Sequence, residues 1–426
     1  MKRGFYTVMA AQFFSSLADN ALLIAAIQLL IELHAPDWIK PLLKLFFTIS
    51  YVILAPFVGA FADSMPKGRV MFVTNSIKVA GCAMMFFTVH PLLAYAIVGF
   101  GAAAYSPAKY GILTEMLPPE KLVAANGWIE GTTVGSIILG TALGGMLINP
   151  RVAGFLLNID VPGVDTGIDS PAESAILVIA VIYLIAALFN LRIPDTGVRY
   201  PNQQHNPFKL ITEFAHCVST LWHDKLGQIS LAVTTMFWGA GATLQFIVLD
   251  WAKSALKMPL SQAALLQGVA AVGMALGAVI AARYVPLKRS LRVLPFGVAM
   301  GLVVPMMTVV STTTFAYPLL ILIGGMAGFF VVPMNALLQH RGHVLMSAGH
   351  SIAVQNFNEN LNVLLMLGLY ALLIRMNLGV NAVITLFGLF VAFSMLLIMR
   401  LHARNQREFD SVALIGEHPQ HRHSGH

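Results

Sequence analysis

Along this chain, long apolar stretches alternate with short polar connections. Apolar runs of spanning length fall at about 5–33, 41–62, 69–89, 91–117, 121–149, 174–192, 227–249, 262–282, 293–311, 315–338, 349–374 and 380–400. Each is long enough to cross the roughly 30 Å hydrocarbon layer as a helix of about 20 residues. A lipid-exposed segment must satisfy its own backbone hydrogen bonds, so these runs predict helices. The pattern therefore predicts an all-α membrane protein with twelve transmembrane helices. The first run is too long for a signal-peptide core and continues through Asp19 and Asn20 without a small-residue cleavage site, so it reads as the first span.

The longest polar connection on the basic face, 193–226, divides six spans from six. Within it Phe208, Ile211, Phe214, Val218 and Leu221 recur every three or four residues, which predicts an amphipathic helix on the membrane surface. The organisation expected is a bundle over 1–192, a linker over 193–226, a second bundle over 227–400 and a tail over 401–426. The opposite connection at about 150–173, with Asp160, Asp165 and Asp169 among Gly and Pro, reads as an irregular cap.

Composition adds little beyond this, but charge placement sets orientation. Of 426 residues, 57% are hydrophobic and 11% charged, far below the quarter usual in soluble domains. The net charge of +7 would suggest an acidic partner if the basic residues were clustered. Instead, of 26 Lys and Arg, five (Lys40, Arg151, Lys253, Lys257 and Arg375) fall on one face. Lys44, Lys78 and Lys109 lie in or beside spans, and the other 18 share the opposite face. That bias puts both termini in the cytoplasm. Nothing in the pattern calls for nucleic acid.

Several chemistries are excluded. The two cysteines, Cys82 and Cys217, cannot form a disulfide framework. No phosphate-binding Gly-x-x-x-x-Gly-Lys-Ser/Thr loop and no Gly-x-Ser-x-Gly nucleophile elbow occurs, so neither an ATP-driven pump nor a lipase is expected. His418, His421, His423 and His426 lack a fixed scaffold, so no metal or other cofactor is expected. The expectation is a protein that is not an enzyme.

The two halves repeat. Gly59-Ala-Phe-Ala-Asp63-Ser-Met-Pro66-Lys-Gly-Arg69 is echoed from Gly277 to Arg289, Pro107 by Pro333, and Asn126-Gly-Trp-Ile-Glu130 by Gln355-Asn-Phe-Asn-Glu359. With these motifs the chain resembles the major facilitator superfamily, which implies two pseudo-symmetric six-helix bundles and alternating access. The Asp63 to Arg69 loop is a stretched form of that superfamily's signature, which assigns Asp63 and Arg69 a gating role. The Arg that many proton-coupled members carry in the fourth span is absent. Six further segments are Ser15-Ser-Leu-Ala-Asp19-Asn-Ala-Leu, Tyr105-Ser-Pro-Ala-Lys109-Tyr-Gly-Ile-Leu, Ala125-Asn-Gly, Phe237-Trp-Gly-Ala-Gly, Val332-Pro-Met-Asn-Ala-Leu-Leu-Gln and Ile352-Ala-Val-Gln-Asn. They resemble the bacterial lysophospholipid transporters of the LplT type. The resemblance implies a flippase in the bacterial inner membrane. It would bring lysophosphatidylethanolamine and related lipids inward for reacylation by a partner acyltransferase, and is expected to work as a monomer.

Charges inside spans cost about 2.5–3.5 kcal/mol each at a helix centre, so they are the candidate chemistry. Lys78 or Lys109 would suit a phosphate, Asp19 or Glu130 an ammonium, and Met236, Phe237, Phe246, Phe329 and Phe330 an acyl chain. Asn20, Asn356 and Glu359 join them as candidate substrate contacts, and Gln245 as a possible outer partner of Asp19. The competing reading is that Asp19 with a Lys, or Lys109 with Glu115 or Glu130, merely neutralise one another as structural pairs. Gly131, Gly135, Gly140, Gly144 and Gly145 read as a helix-packing stripe. An exporter of amphipathic drugs is the rival function, and the two intramembrane lysines speak against a pocket for cations.

Overall fold

The structure, a computed structural model, describes residues 3–36, 39–157, 170–200, 206–258 and 260–415. The acidic residues of the outer connection and the histidine-rich tail lie outside these. Fifteen α-helices follow one another among the described residues: α1 (Arg3–Glu32), α2 (Lys40–Ile53), α3 (Ala55–Asp63), α4 (Lys67–Phe86), α5 (Pro91–Met116), α6 (Leu122–Leu147), α7 (Pro150–Leu157) and α8 (Pro171–Leu191). After these come α9 (Pro207–His223), α10 (Gly227–Ser254), α11 (Leu260–Tyr284), α12 (Leu294–Val303), α13 (Thr313–Leu345), α14 (Ala348–Arg375) and α15 (Val380–Glu408). There are no strands among the described residues.

Among the described residues ten helical segments are long and apolar enough to cross a membrane, one of them α12 with the 3-10 turns on either side of it (Leu287–Val309), and the bent pair α2–α3 makes an eleventh. Pro56 explains the bend. It lies in the first turn of α3, where its missing N–H breaks the helical ladder, and the two pieces turn by 65°. The twelfth predicted run is α4, which carries Lys67, Arg69, Thr74, Asn75, Ser76 and Lys78 and so falls short on hydropathy. Its polar side is absorbed by packing against α8 rather than lipid. Residues 150–157, expected to belong to an irregular cap, instead form α7, which packs on α8. A full capping box starts α8, with Ser170 Oγ accepting from the Glu173 amide and Glu173 accepting from the Ser170 amide.

Packing divides the chain into two compact units. One holds Met1–Ile112 and Gly135–Ile211, the other Leu113–Val134 and Thr212–His426. In the first, α8 packs on both α1 and α4, and the core holds Leu22, Leu30, Ile179 and Tyr183 with Val98 of α5. Gly140 and Gly144 of α6 let it close onto α1. A Cβ on them would lie 2.5 Å from Leu17 O and 2.8 Å from Ala21 O. The other three glycines of that stripe are not needed for this: Gly131 and Gly145 have nothing within 4 Å, and a Cβ on Gly135 would only touch Phe13 at 3.9 Å.

In the second unit α11 crosses α13 through two small-residue pairs that the sequence reading missed, Gly273 with Gly277 and Gly324 with Gly328. A Cβ on Gly328 would sit 2.0 Å from Met274 O. Replacing Gly328 by Val should therefore cost at least about 1–3 kcal/mol and lower the thermal midpoint in detergent. Gly145→Ala, in open space, should leave that midpoint unchanged or raise it.

The linker starts with a tight turn. Hydrogen bonds from Arg199 and from the Gly197 amide hold the exposed Asp195 carboxyl down to about 2, and Gly197 adopts φ +77°. The predicted amphipathic helix is α9, and two of its aromatic side chains, Phe214 and Trp222, meet α14. Phe214 meets Phe357 edge-on at 5.4 Å, Leu221 is fully buried, and Trp222 Nε1 donates to Asn358. Phe208 and Ile211, at the other end, remain exposed.

Candidate functional site: two buried polar clusters

The first cluster lies in the unit formed by α1, α4, α5 and α8. Lys78 of α4 is 1% exposed, and its ammonium donates to both carboxylate oxygens of Asp19, at 2.8 and 2.9 Å, and to Ser15 Oγ at 3.0 Å. Tyr183 Oη of α8 donates to Asp19 Oδ1 at 2.6 Å, and Ser15 Oγ donates to Asn75 Oδ1 at 2.8 Å. The rings of Tyr105 and Tyr183 flank the ammonium at 5.1 and 5.4 Å. All three ammonium protons are thus used within the protein. Lys78 is closed, whereas the Asp19 side chain keeps 22% of its surface accessible. What this cluster offers outward is therefore a carboxylate.

This is the pairing that the neutralisation reading anticipated for Asp19. It withdraws Lys78 as a phosphate ligand in this conformation and leaves Asp19 able to meet a cationic group. Asn20, one residue on, is turned to its own helix and donates to Ser16 O. Lys109 lies 4.2 Å from the Tyr110 ring centroid.

The second cluster lies in the other unit, where α6, α13 and α14 contribute Glu130, Asn335, Gln355 and Glu359, all at most 7% exposed. Gln355 Nε2 donates to Glu359 at 2.8 Å and to Asn335 Oδ1 at 3.2 Å, and Glu130 lies within electrostatic reach of Glu359. Asn356, also buried, accepts from Asn360 through its backbone carbonyl. One turn before Glu130, Asn126 and Gln339 exchange both amide hydrogen bonds, at 2.8 and 3.0 Å, with both side chains buried. Gly127 beside them allows α11 to approach, since a Cβ there would be 2.6 Å from that of Ala282.

Gln339→Leu takes from Asn126 Oδ1 its donor, while Asn126 Nδ2 keeps its bond to Leu122 O, and should cost about 1–3 kcal/mol. Adding Asn126→Leu should recover part of that loss, which a double-mutant cycle on thermal unfolding would detect.

The remaining candidates stand apart. Gln245 is exposed on α10, and its carbonyl accepts from Gln267. Asp63 pairs with Lys67 at 2.5 Å, and the same ammonium reaches Ala62 O, while Arg69 is exposed. In the stretched loop it is Lys67 that pairs with Asp63. Among the apolar residues suggested for a chain, Phe330 is 1% exposed and packs with Phe237, and Phe329 meets Phe296 at a tilt, 4.8 Å between ring centroids. Phe246 is accessible, beside Tyr370. Residues that sequence reasoning missed are Ser15, Asn75, Tyr183, Gln339 and the Arg341–Asp224 pair. Ser15 and Gln339 fall inside quoted motifs, which was the available signal.

Comparison with known proteins places this geometry in a family. Lysophospholipid transporter LplT of Yersinia enterocolitica (serotype O:8 / biotype 1B) is 42% identical over 383 residues, covering 90% of each chain. The protein of the same name from Yersinia pestis (strain Pestoides F) is 41% identical over 384 residues, again 90% of each. Among solved structures, a bacterial homologue of the iron transporter ferroportin superposes with a TM-score of 0.70 at 14% identity, over 95% of this chain and 100% of its own. The transporter FucP superposes at 0.68 and 14% identity, over 94% and 98%. These last two speak for the fold alone. Residues 8–361 match the profile of the Major Facilitator Superfamily, so the apolar periodicity, the internal repeat and the buried charges converge on one conclusion: the chain belongs to the Major Facilitator Superfamily.

Proposed function

We propose that this protein carries lysophospholipids, lysophosphatidylethanolamine among them, from the outer to the inner leaflet of a bacterial inner membrane by alternating access. The observation that carries this reading is the 42% identity to a lysophospholipid transporter across 90% of both chains. The chemistry of the buried clusters supports it. The head group of lysophosphatidylethanolamine ends in an ammonium, and Asp19, Glu130 and Glu359 supply carboxylates inside the predicted spans. The substrate keeps its single acyl chain out of water by entering sideways from the bilayer, which spares about 0.8 kcal/mol per CH2. Both termini face the cytoplasm, where an acyltransferase restores the second chain. Asp63 and Lys67 brace the loop that moves in gating, joined there by Arg69, and the transporter works as a monomer.

The reading is tested in bacteria lacking their own lysophospholipid uptake. Expression of this chain should convert added radiolabelled lysophosphatidylethanolamine into cellular phosphatidylethanolamine. Export of a cationic dye without such conversion would favour a drug exporter instead.

A further inference from the structure

Lys78 is sealed by Asp19, so the phosphate of an amphiphile needs another cation in the first unit. Lys44 of α2 is exposed, and among the described residues it forms neither hydrogen bond nor ion pair; its contact is the ring of Phe47, 5.9 Å from the ammonium. It does not belong to the apolar outer stripe of its helix. That stripe is Leu45, Ile49 and Ile53, all exposed, whereas Lys44 shares the adjacent face with buried Thr48 and with Tyr51, four and seven residues on.

Phe47 draws two phenols to the same place, with Tyr51 at 6.0 Å and Tyr95 of α5 at 5.6 Å between ring centroids. Tyr95 is 3% exposed, and neither hydroxyl has a hydrogen bond within the protein among the described residues. Lys44, Tyr51 and Tyr95 all lie within electrostatic reach of Asp19. The Lys44 ammonium and the rings of Tyr51 and Tyr95 thus all lie within about 6 Å of the Phe47 ring, and their three donors have no hydrogen bond among the described residues.

We propose that Lys44, Tyr51 and Tyr95 form a phosphate site, which takes the phosphodiester of a head group while its ammonium turns to Asp19. An ammonium and two hydroxyls match three oxyanion lone pairs, and charge-assisted bonds of this kind are the stronger class. The proposal rests on the lysophospholipid reading for its substrate, but the phosphate chemistry can be measured separately. A free phosphate would satisfy the same donors.

The test is equilibrium binding to the full-length protein in maltoside detergent, using radiolabelled lysophosphatidylethanolamine and, in parallel, a monoacylglycerol of the same chain length. Lys44→Ala should weaken lysophosphatidylethanolamine binding about tenfold, or about 1.4 kcal/mol, and leave monoacylglycerol binding unchanged. Lys44→Arg should stay within about threefold of the unaltered protein, and Tyr95→Phe should lose about threefold. Competition identifies the source: displacement by glycerophosphoethanolamine but not by inorganic phosphate assigns the site to head groups, and displacement by both assigns it to phosphate in general. Unchanged lysophosphatidylethanolamine binding in Lys44→Ala and in Lys44→Ala with Tyr95→Phe would overturn the proposal. Equal loss for both lipids would also overturn it, since that marks a structural role. If the unaltered protein binds through Lys44 yet moves no lipid across vesicles, the transport reading fails and the phosphate site stands.

Discussion

Replacing Lys78 by Ala is expected to destabilise the protein by about 3 kcal/mol, because it strands the Asp19 carboxylate among apolar helices. Losing one member of a buried pair costs about 3–5 kcal/mol, and the lower end applies here because 22% of the Asp19 side chain is accessible. Tyr183 Oη still donates to Asp19 in that variant, which softens the loss further. Neutralising both partners, as Lys78→Met with Asp19→Asn, should restore most of the stability, since two uncharged side chains of similar volume then fill the space. The double variant nevertheless has no carboxylate to offer an ammonium. Its thermal midpoint should return towards the starting value while the KM for lysophosphatidylethanolamine stays raised by tenfold or more. Recovery of both together would make the pair purely structural.

The second large effect is expected at the junction of α9 and α10. Asp224 is 10% exposed at its side chain. Its carboxylate accepts from Arg341 Nε at 2.9 Å and a terminal guanidinium nitrogen at 2.7 Å, as well as from the backbone amides of Leu226 and Gly227. Four donors on one carboxylate tie the end of α13 to the start of α10. Asp224→Ala removes that tie and leaves Arg341 buried without its counter-charge, which should cost about 3–5 kcal/mol. Arg341→Lys keeps the charge but not the two-pronged geometry, and should cost less than half as much. Thermal unfolding in detergent orders the two variants. An equal and small effect for both would mean that the junction is held by other contacts, such as the neighbouring Lys225–Glu408 pair and the bond from Asn405 to Lys225 O.

The spans were legible because hydrophobic runs report burial in lipid directly. α4 reads as a span although Lys67, Asn75 and Lys78, which are buried, weaken its hydropathy. The error is α7, which hides in a connection whose Pro and Gly suggested irregular backbone. Intramembrane charges flagged both clusters, and the sequence raised the possibility that Asp19 meets a Lys. Which Lys it meets depends on contacts 59 residues apart, and the Tyr183 bond spans 164. No local spacing encodes such distances. The reciprocal bonds of Asn126 and Gln339, 213 residues apart, were equally out of reach, although both residues sit in motifs the sequence had already singled out. Helix crossings through Gly273, Gly277, Gly324 and Gly328 did follow a local rule, a small residue every fourth position, which was applied to the fifth span alone.

The account stands on a single activity, the movement of a one-chain phospholipid through this protein. Purified and placed in sealed vesicles, the full-length chain should move labelled lysophosphatidylethanolamine from one leaflet to the other well above the rate in protein-free vesicles. Asp19→Asn should lower that rate at least tenfold. Movement no faster than in protein-free vesicles, by a preparation shown to be folded, would contradict it.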